Sequence, residues 1–347
     1  MGMVREGVKS IRSLDSWPET DRRAWIAACQ PSERLKPGGA AAHLRAVTRD
    51  DLAERYGYFL NYLRRRELLS TQGPAAANVT QEKVDGYIAE LKIRVSSVTV
   101  HGSISKLRRV SELICPARDF TWLSEIEKDL KSEMRPRSKF DRLVLAHVLV
   151  EAGMTLITEA EMTTTLTELA RARQVRNGVM LALLALCPIR SKDFITLEIG
   201  STFVQVMGQW WIVLTAAQTK EKRADERPVD NILKPALDRY IATYRPVVAH
   251  GTSSSALWPS PKDGQPMRKS GFQQMIKSTT LSTVGVALSP HMFRTCAAST
   301  AAMYGGENPY LATALLHHTG PAVTIGHYNR ASSLSAGKKL REVIRNL

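Results

Sequence analysis

Cysteine is scarce in this chain. There are four in 347 residues, Cys29, Cys115, Cys187 and Cys296, and no two form a Cys-x-x-Cys pair. That spacing argues against a zinc ribbon or a dithiol redox motif. Cys187 and Cys296 sit among apolar or small residues and read as buried free thiols, which fits a reducing compartment. Long hydrophobic runs are missing too. The longest, "VMLALLALC" from Val179 to Cys187, falls well short of the roughly 20 residues that span a bilayer. The opening "MGMVREGVKS" lacks the apolar core of a secretory signal. A cytoplasmic protein with no membrane partner is therefore expected. No Walker loop, no Gly-x-Gly-x-x-Gly after a strand and no His-Glu-x-x-His occurs, so nucleotide hydrolysis and zinc proteolysis lose their usual sequence support. Internal repeats and low-complexity segments are absent as well.

What is present is a folded composition with a strong excess of cations. Apolar residues make up 44% and charged residues 23% of the chain, the profile of a globular protein long enough for two domains. The formal net charge is +15 and the sequence pI is near 9.8. Such an excess suits a polyanionic partner, above all nucleic acid, although basic proteins also use it for solubility.

Residues 1–40 read as an irregular N-terminal extension of unclear role, ending in the breaker "KPGGAAAH". Residues 41–130 then carry helical patterns. "TRDDLAERYGYFLNYLRRRELL" has Thr48 as N-cap, with Leu52, Tyr56, Phe59, Leu60 and Leu63 at helical spacing. "QEKVDGYIAELKIR" is capped by Thr80, and "SVTVHGSISKLRRVSELI" and "TWLSEIEKDL" follow. Arg64, Arg65, Arg66, Lys106, Arg108 and Arg109 lie on the polar faces of this domain. They are either solvated surface or a DNA-binding footprint. "KSEMRPRSKF", residues 131–140, is charged, aperiodic and holds Pro136, as a linker would. Residues 141–347 form a second, mostly helical domain. Within it "STFVQVM", a Gly-Gln turn and "WWIVLT" read as two antiparallel strands, with "RPVDN" as a third. Helices resume with "KPALDRYIATYR", "RKSGFQQMIKSTT", a helix through the 290s, "PYLATALLHH" and "AGKKLREVIRNL".

Four places in the second domain share one chemistry. In "SPHMFRTCAAST", Ser289 and Pro290 start a helix and set His291 and Arg294 three positions apart on one face, beside the free N–H groups of its N-terminus. "LLALCPIRSKDFITLEI" presents Arg190, then Asp193 three residues on. "QTKEKR" puts Lys220 between two strands. "LLHHTGPAVTIGHYNRAS" offers His317, His318 and Tyr328. Each alone has an ordinary structural reading. Arg190 could satisfy carbonyls at a helix end, Lys220 could be a solvated loop lysine, His318 an interior histidine and Tyr328 a surface tyrosine.

Taken in order, these residues resemble the tyrosine recombinase (phage integrase) family, whose set is Arg, Lys, His-x-x-Arg, His or Trp, and a nucleophilic Tyr. The matching positions are Arg190, Lys220, His291, Arg294, His318 and Tyr328. Departures are Pro188 where the family often has Gly, Asp193 where Glu is usual, and His317 in place of the Gly of Leu-Gly-His. Lys222 competes with Lys220, and His317 with His318. The resemblance implies a mainly α fold: a helical core-binding (SAM-like) domain, then an α-rich catalytic domain with a small antiparallel β-sheet.

It also implies a mechanism. The arginines hold the non-bridging oxygens of a DNA phosphodiester, where charge gathers in the transition state. Tyr328 attacks the phosphorus, His291 takes its proton, Lys220 protonates the leaving 5′-oxygen and His318 donates to a phosphate oxygen. Asp193 orients this set from behind. The 3′-phosphotyrosyl bond keeps the energy of the broken linkage, so no metal, ATP or other cofactor is implied. Implied partners are double-stranded DNA, sister copies in a tetramer on two synapsed sites, and accessory DNA-bending proteins or sister recombinases. Integration of a phage or mobile element is the expected setting. Two rivals stay open: a DNA-relaxing enzyme like the type IB topoisomerases, and a catalytically inactive DNA-binding protein of the same fold.

Overall fold

A computed structural model describes residues 13–304, apart from 137, 139, 220, 221 and the side chain of Phe140. The chain divides into two compact units between Ser138 and Lys139.

The first unit is helical. It contains α1 (Glu19–Ala28), α2 (Ala46–Arg65), α3 (Gln81–Arg94), α4 (Ser97–Ile114) and α5 (Thr121–Ser132). The expected period explains α4: Val100, Ile104, Leu107, Val110 and Ile114 fall on one stripe and all are buried. Ser96 starts it by accepting the Thr99 N–H at 3.4 Å, and Thr80 starts α3 by accepting that of Lys83 at 3.5 Å. Thr48 does not cap α2. The helix begins at Ala46 with Arg45 as its N-cap, because the Arg45 carbonyl already takes the N–H groups of Thr48 and Arg49 at 2.9 and 3.1 Å.

Residues 13–40 differ more from expectation. They are not an irregular appendage, since Trp17 and the α1 residue Trp25 sit in the core of this unit beside Tyr56. Buried Asp21 ties α1 down by accepting the Tyr56 hydroxyl at 2.8 Å and the Ala76 N–H at 2.7 Å. Burial raises the Asp21 carboxyl, and those two hydrogen bonds oppose the rise. Lys131 and Ser132, expected in the linker, complete α5.

The second unit is built on α6 (Ala146–Met162) and α7 (Glu168–Leu186). Their backbones touch where Gly153 meets Gly178: a Cβ on Gly153 would lie 2.7 Å from the Gly178 oxygen. Most of α7 from Val179 to Ala185 is fully buried, as its apolar run requires. After α8 (Ser191–Ile195) comes the sheet, ordered β1-β2-β3 and antiparallel throughout: β1 (Phe203–Val206), β2 (Gln209–Leu214) and β3 (Asp225–Pro228). The first turn is Met207-Gly208, one residue earlier than expected, closed by the pair Val206↔Gln209. Both residues take positive φ, 50° and 79°, the two-residue turn that matches strand twist. The third strand also comes early. Past Pro228, Asp230 leaves the ladder to close a turn onto Leu233 at 3.1 Å.

Then follow α9 (Lys234–Arg239), a π turn (Tyr240–Tyr244), α10 (Arg245–Val248), α11 (Lys269–Val284) and α12 (Pro290–Tyr304). Helix α11 ends at Gly285, which adopts the left-handed φ of 72°. The sequence-predicted helices through "PYLATALLHH" and "AGKKLREVIRNL" lie outside the described residues. No helix among the described residues is long and apolar enough to cross a membrane.

Candidate active site

The corner after α7 turns sharply. Cys187 caps the helix, the Ile189 N–H returns to its carbonyl at 2.7 Å, and Arg190 becomes the N-cap of α8 with extended backbone. Its carbonyl receives the Phe194 N–H at 2.8 Å. Helix α8 is short, so its position depends on packing. Phe194 stacks between Trp258 and Phe272, at 5.2 and 5.5 Å. Trp258 donates its indole N–H to the Phe194 carbonyl at 2.9 Å. Asp193, in the first turn of α8, is buried.

Helix α12 starts where the Ser-Pro pair predicts, at Pro290. It is covered on all sides from Met292 to Ser299, while His291 in the first turn is exposed. Arg294 sits one turn deeper and is 6% exposed. Its Nη1 donates to the Pro188 carbonyl at 2.6 Å across 106 positions of sequence. The segment carrying Arg190 and the segment carrying His291 and Arg294 are therefore fastened to each other. A Gly or a Pro can supply that acceptor equally well, because it is a backbone oxygen.

The sheet adjoins the same corner. The Cys187 Sγ lies 3.9 Å from the Pro228 oxygen of β3. Burial pushes the Cys187 thiol up to about 12, with Arg227 pulling it down and Asp225 pushing it up. Cys296 on α12 is likewise raised by burial. Neither thiol is a nucleophile near neutral pH. Arg227 and Asp225 form a buried fork, with Nε–Oδ1 at 2.6 Å and Nη2–Oδ2 at 2.9 Å. The sequence reading passed over this pair, though its i, i+2 spacing on a strand puts both on one face.

Lys220 belongs to the connection between β2 and β3 but lies outside the described residues. On either side of it, Thr219 is buried and its Oγ1 donates to the Arg223 carbonyl at 2.6 Å and accepts the Arg223 N–H at 3.1 Å. Lys222 in that turn takes a φ of 55°. His317, His318 and Tyr328 also lie outside the described residues. Of the six residues matched to the catalytic set, Arg190, His291 and Arg294 lie among the described residues, and the bond from Arg294 to the Pro188 carbonyl, two residues before Arg190, links α12 to the segment that leads into α8.

The phage integrase family model matches residues 155–334, more than half of the chain. This chain belongs to the phage integrase family, the tyrosine recombinases. The match contains Arg190, Lys220, His291, Arg294, His318 and Tyr328. Among solved structures, the fold is similar to the XerH site-specific recombinase bound to difH substrate, with 13% identity over 81% of this chain and 75% of that one, at a TM-score of 0.53. It is similar also to the Tn1549 transposon integrase in complex with transposon right-end DNA, with 12% identity over 86% and 95% of the two chains, at a TM-score of 0.54. No curated protein matches by sequence.

In the first unit of this integrase-family chain, five of the six basic residues singled out in the sequence engage acids or a side-chain amide. Arg65 and Arg66 reach Glu90 on α3, and Arg64 donates to Asn61 at 3.1 Å. Lys106 pairs with Asp51 at 2.6 Å. Arg108 bridges Glu112 and Glu127, both at 2.7 Å, and Arg109 is exposed.

Proposed function

We propose that this protein is a site-specific DNA recombinase that cuts and rejoins strands through a 3′-phosphotyrosyl intermediate. The Tyr328 oxygen attacks the phosphorus as its proton passes to His291. The bond from phosphorus to the 5′-oxygen breaks, and Lys220 supplies the proton that oxygen needs. Arg190, Arg294 and His318 hold the non-bridging oxygens, and Asp193 orients them. Rejoining runs the same steps in reverse with another strand's 5′-hydroxyl, so the energy stays in the phosphotyrosyl bond and neither ATP nor a metal is called for.

The observation that carries this reading is the 2.6 Å contact from Arg294 to the Pro188 carbonyl. It ties α12 to the segment that leads into α8, which supports the reading that Arg190 and Arg294, far apart in sequence, serve one place. Guanidiniums suit that place because they stay charged and can grip a phosphate bidentately. The partner is double-stranded DNA, held also by Arg64, Arg65, Arg66, Lys106, Arg108 and Arg109 through its phosphates. Recombination between two synapsed sites calls for a tetramer. The setting is integration or movement of a mobile element, with accessory DNA-bending proteins or sister recombinases as further partners.

The test is a nicked suicide duplex carrying the recognition site, incubated without metal or ATP. Wild type should form a covalent protein–DNA adduct, and Tyr328→Phe should form none while binding the duplex as before. An adduct with Tyr328→Phe would discard Tyr328 as nucleophile. An adduct that needs a metal would discard the mechanism.

A further inference from the structure

The ladder between β2 and β3 stops at the pair Leu214↔Asp225, and residues 215–224 connect the two strands. Among the described residues of this connection, Thr219 alone is buried, at 6% exposed, and the others are exposed. A buried hydroxyl needs hydrogen-bond partners, and a surface connection supplies none by regular strand pairing. Thr219 finds both in one residue. Its Oγ1 donates to the Arg223 carbonyl at 2.6 Å and accepts the Arg223 N–H at 3.1 Å.

These two bonds clasp the chain across the stretch that contains Lys220 and Lys222. The base of the clasp is fastened as well. The Thr219 N–H returns to the Thr215 carbonyl at 3.3 Å. The Thr215 N–H and hydroxyl both donate to the Gln218 Oε1, at 2.8 and 3.0 Å. On the far side, the buried fork of Asp225 and Arg227 fixes the start of β3. Lys222 holds a left-handed φ of 55°, which a residue with a Cβ keeps only where its surroundings impose it. The clasp imposes it here, with the Lys222 N–H donating to the Thr219 carbonyl at 3.5 Å.

An unanchored lysine is a poor proton donor. Its four-carbon stem is flexible, and proton transfer needs the donor within hydrogen-bond reach of the receiving oxygen. Fixing the backbone beside it removes part of that search. We propose that Thr219 is a positioning residue for proton delivery to the leaving 5′-oxygen. In that step the bond from phosphorus to the 5′-oxygen breaks and its electron pair goes to the oxygen. The lysine ammonium gives up one proton, leaving a 5′-hydroxyl and a neutral amine. The inference rests on the phosphotyrosyl reading above and deepens it. Thr219 acts through Lys220, and the clasp would serve Lys222 equally, since both lie within it.

The experiment uses the full chain and two suicide duplexes that differ in one atom. In one the scissile bond ends on the natural 5′-oxygen, in the other on a 5′-sulfur. A thiol is far more acidic than an alcohol, so the sulfur leaves without a proton. Adduct formation is timed on both, and the oxygen-to-sulfur ratio within each variant cancels any loss of folded protein. Thr219→Val keeps the volume and loses the hydroxyl. It should form adduct about 100-fold more slowly than wild type on the oxygen duplex, and within about threefold of wild type on the sulfur duplex. Thr219→Ser, which keeps the hydroxyl, should restore the rate on oxygen. Thr219→Ala reads the same loss if Thr219→Val does not fold. A wild-type rate on oxygen without the hydroxyl, or equal slowing on both duplexes, would overturn the proposal, because a merely structural role does not distinguish the two leaving groups. Lys220→Ala and Lys222→Ala test the reading beneath it. If neither is slowed on oxygen, or the slowed one is not restored by sulfur, the lysine step itself falls and Thr219 with it.

Discussion

The two units bury charge differently. Among the described residues the first unit buries one charged side chain, Asp21, while the second buries Arg176, Asp193, Asp225, Arg227 and Arg294. Taking a charge out of water costs several kcal/mol unless hydrogen bonds or a counter-charge restore what water supplied. In the first unit that cost is avoided by keeping the guanidiniums at the rim, over carboxylates such as Glu90 and Glu127. In the second it is met by backbone and side-chain acceptors: the Pro188 carbonyl for Arg294, Asp225 for Arg227, and the Pro259 carbonyl with Asn177 for Arg176. Surface arginines can exchange partners and follow a long polyanion. Buried arginines cannot move, which is what a site needs if its donors are to meet charge that develops only in the transition state.

This contrast can be pushed hardest at Arg294. Arg294→Lys keeps the charge but loses the fork, and adduct formation on the suicide duplex should slow by about 100- to 1000-fold, the loss of one fixed donor. Duplex affinity should stay within about threefold, because phosphate contacts elsewhere supply most of it. If affinity and cleavage fell together, Arg294 would be a binding residue like those of the first unit.

Arg176 sharpens the contrast from the other side. It is buried, and burial pulls its guanidinium down to about 10, still charged near neutral pH. Its bonds hold the loop at Pro259 against α7. Arg176→Met should cost about 1–3 kcal/mol of stability by leaving the Pro259 carbonyl without a donor, read as a lower urea midpoint, while the rate of adduct formation per folded molecule stays unchanged. Asp21→Ala should cost a similar or smaller amount, about 1–2 kcal/mol, since the Tyr56 hydroxyl and the Ala76 N–H lose their acceptor. Asp21 is raised by burial, so its bonded carboxylate is partly offset at neutral pH and the loss is correspondingly reduced.

The smallest effect is expected at Glu90, and it carries a sign. Burial pulls the Glu90 carboxyl up, but hydrogen bonds from Arg65 and Arg94 hold it below its ordinary 4.5 in the folded chain. Its stabilisation is therefore complete above that value and disappears as pH falls through the lowered folded value. Glu90→Gln should melt slightly below wild type at pH 7, and the gap should close on acidification below about pH 4. A gap that widened in acid would mean that Glu90 is held protonated and does not anchor the arginines.

Much of this architecture is visible in residue order because local rules agree with it. Helix α4 spans the residues its period marks out, and Thr80 caps α3 as its type predicts. Helix α1 was missed because its inward face carries Asp21 beside Trp25 and Ala28, so the stripe looks polar. The turn at Met207-Gly208 was shifted because methionine is not a residue that announces positive φ. At the site, the order of Arg190, His291 and Arg294 was legible. The bond from Arg294 to the Pro188 carbonyl was not, since a backbone carbonyl carries no mark in sequence. Glu90 escaped for a related reason. Helical spacing tells which face of α3 is polar, but not that Arg65, Arg66 and Arg94 all reach Glu90 there.

The account stands most directly on the chemistry at Tyr328. The covalent complex formed on the suicide duplex can be trypsin-digested, trimmed of DNA with nuclease and sequenced by mass spectrometry. The nucleotide should be found on Tyr328, in the fragment running from Thr295 to Arg330. A nucleotide on Tyr304 or Tyr310 of the same fragment, or on a serine, would contradict the account.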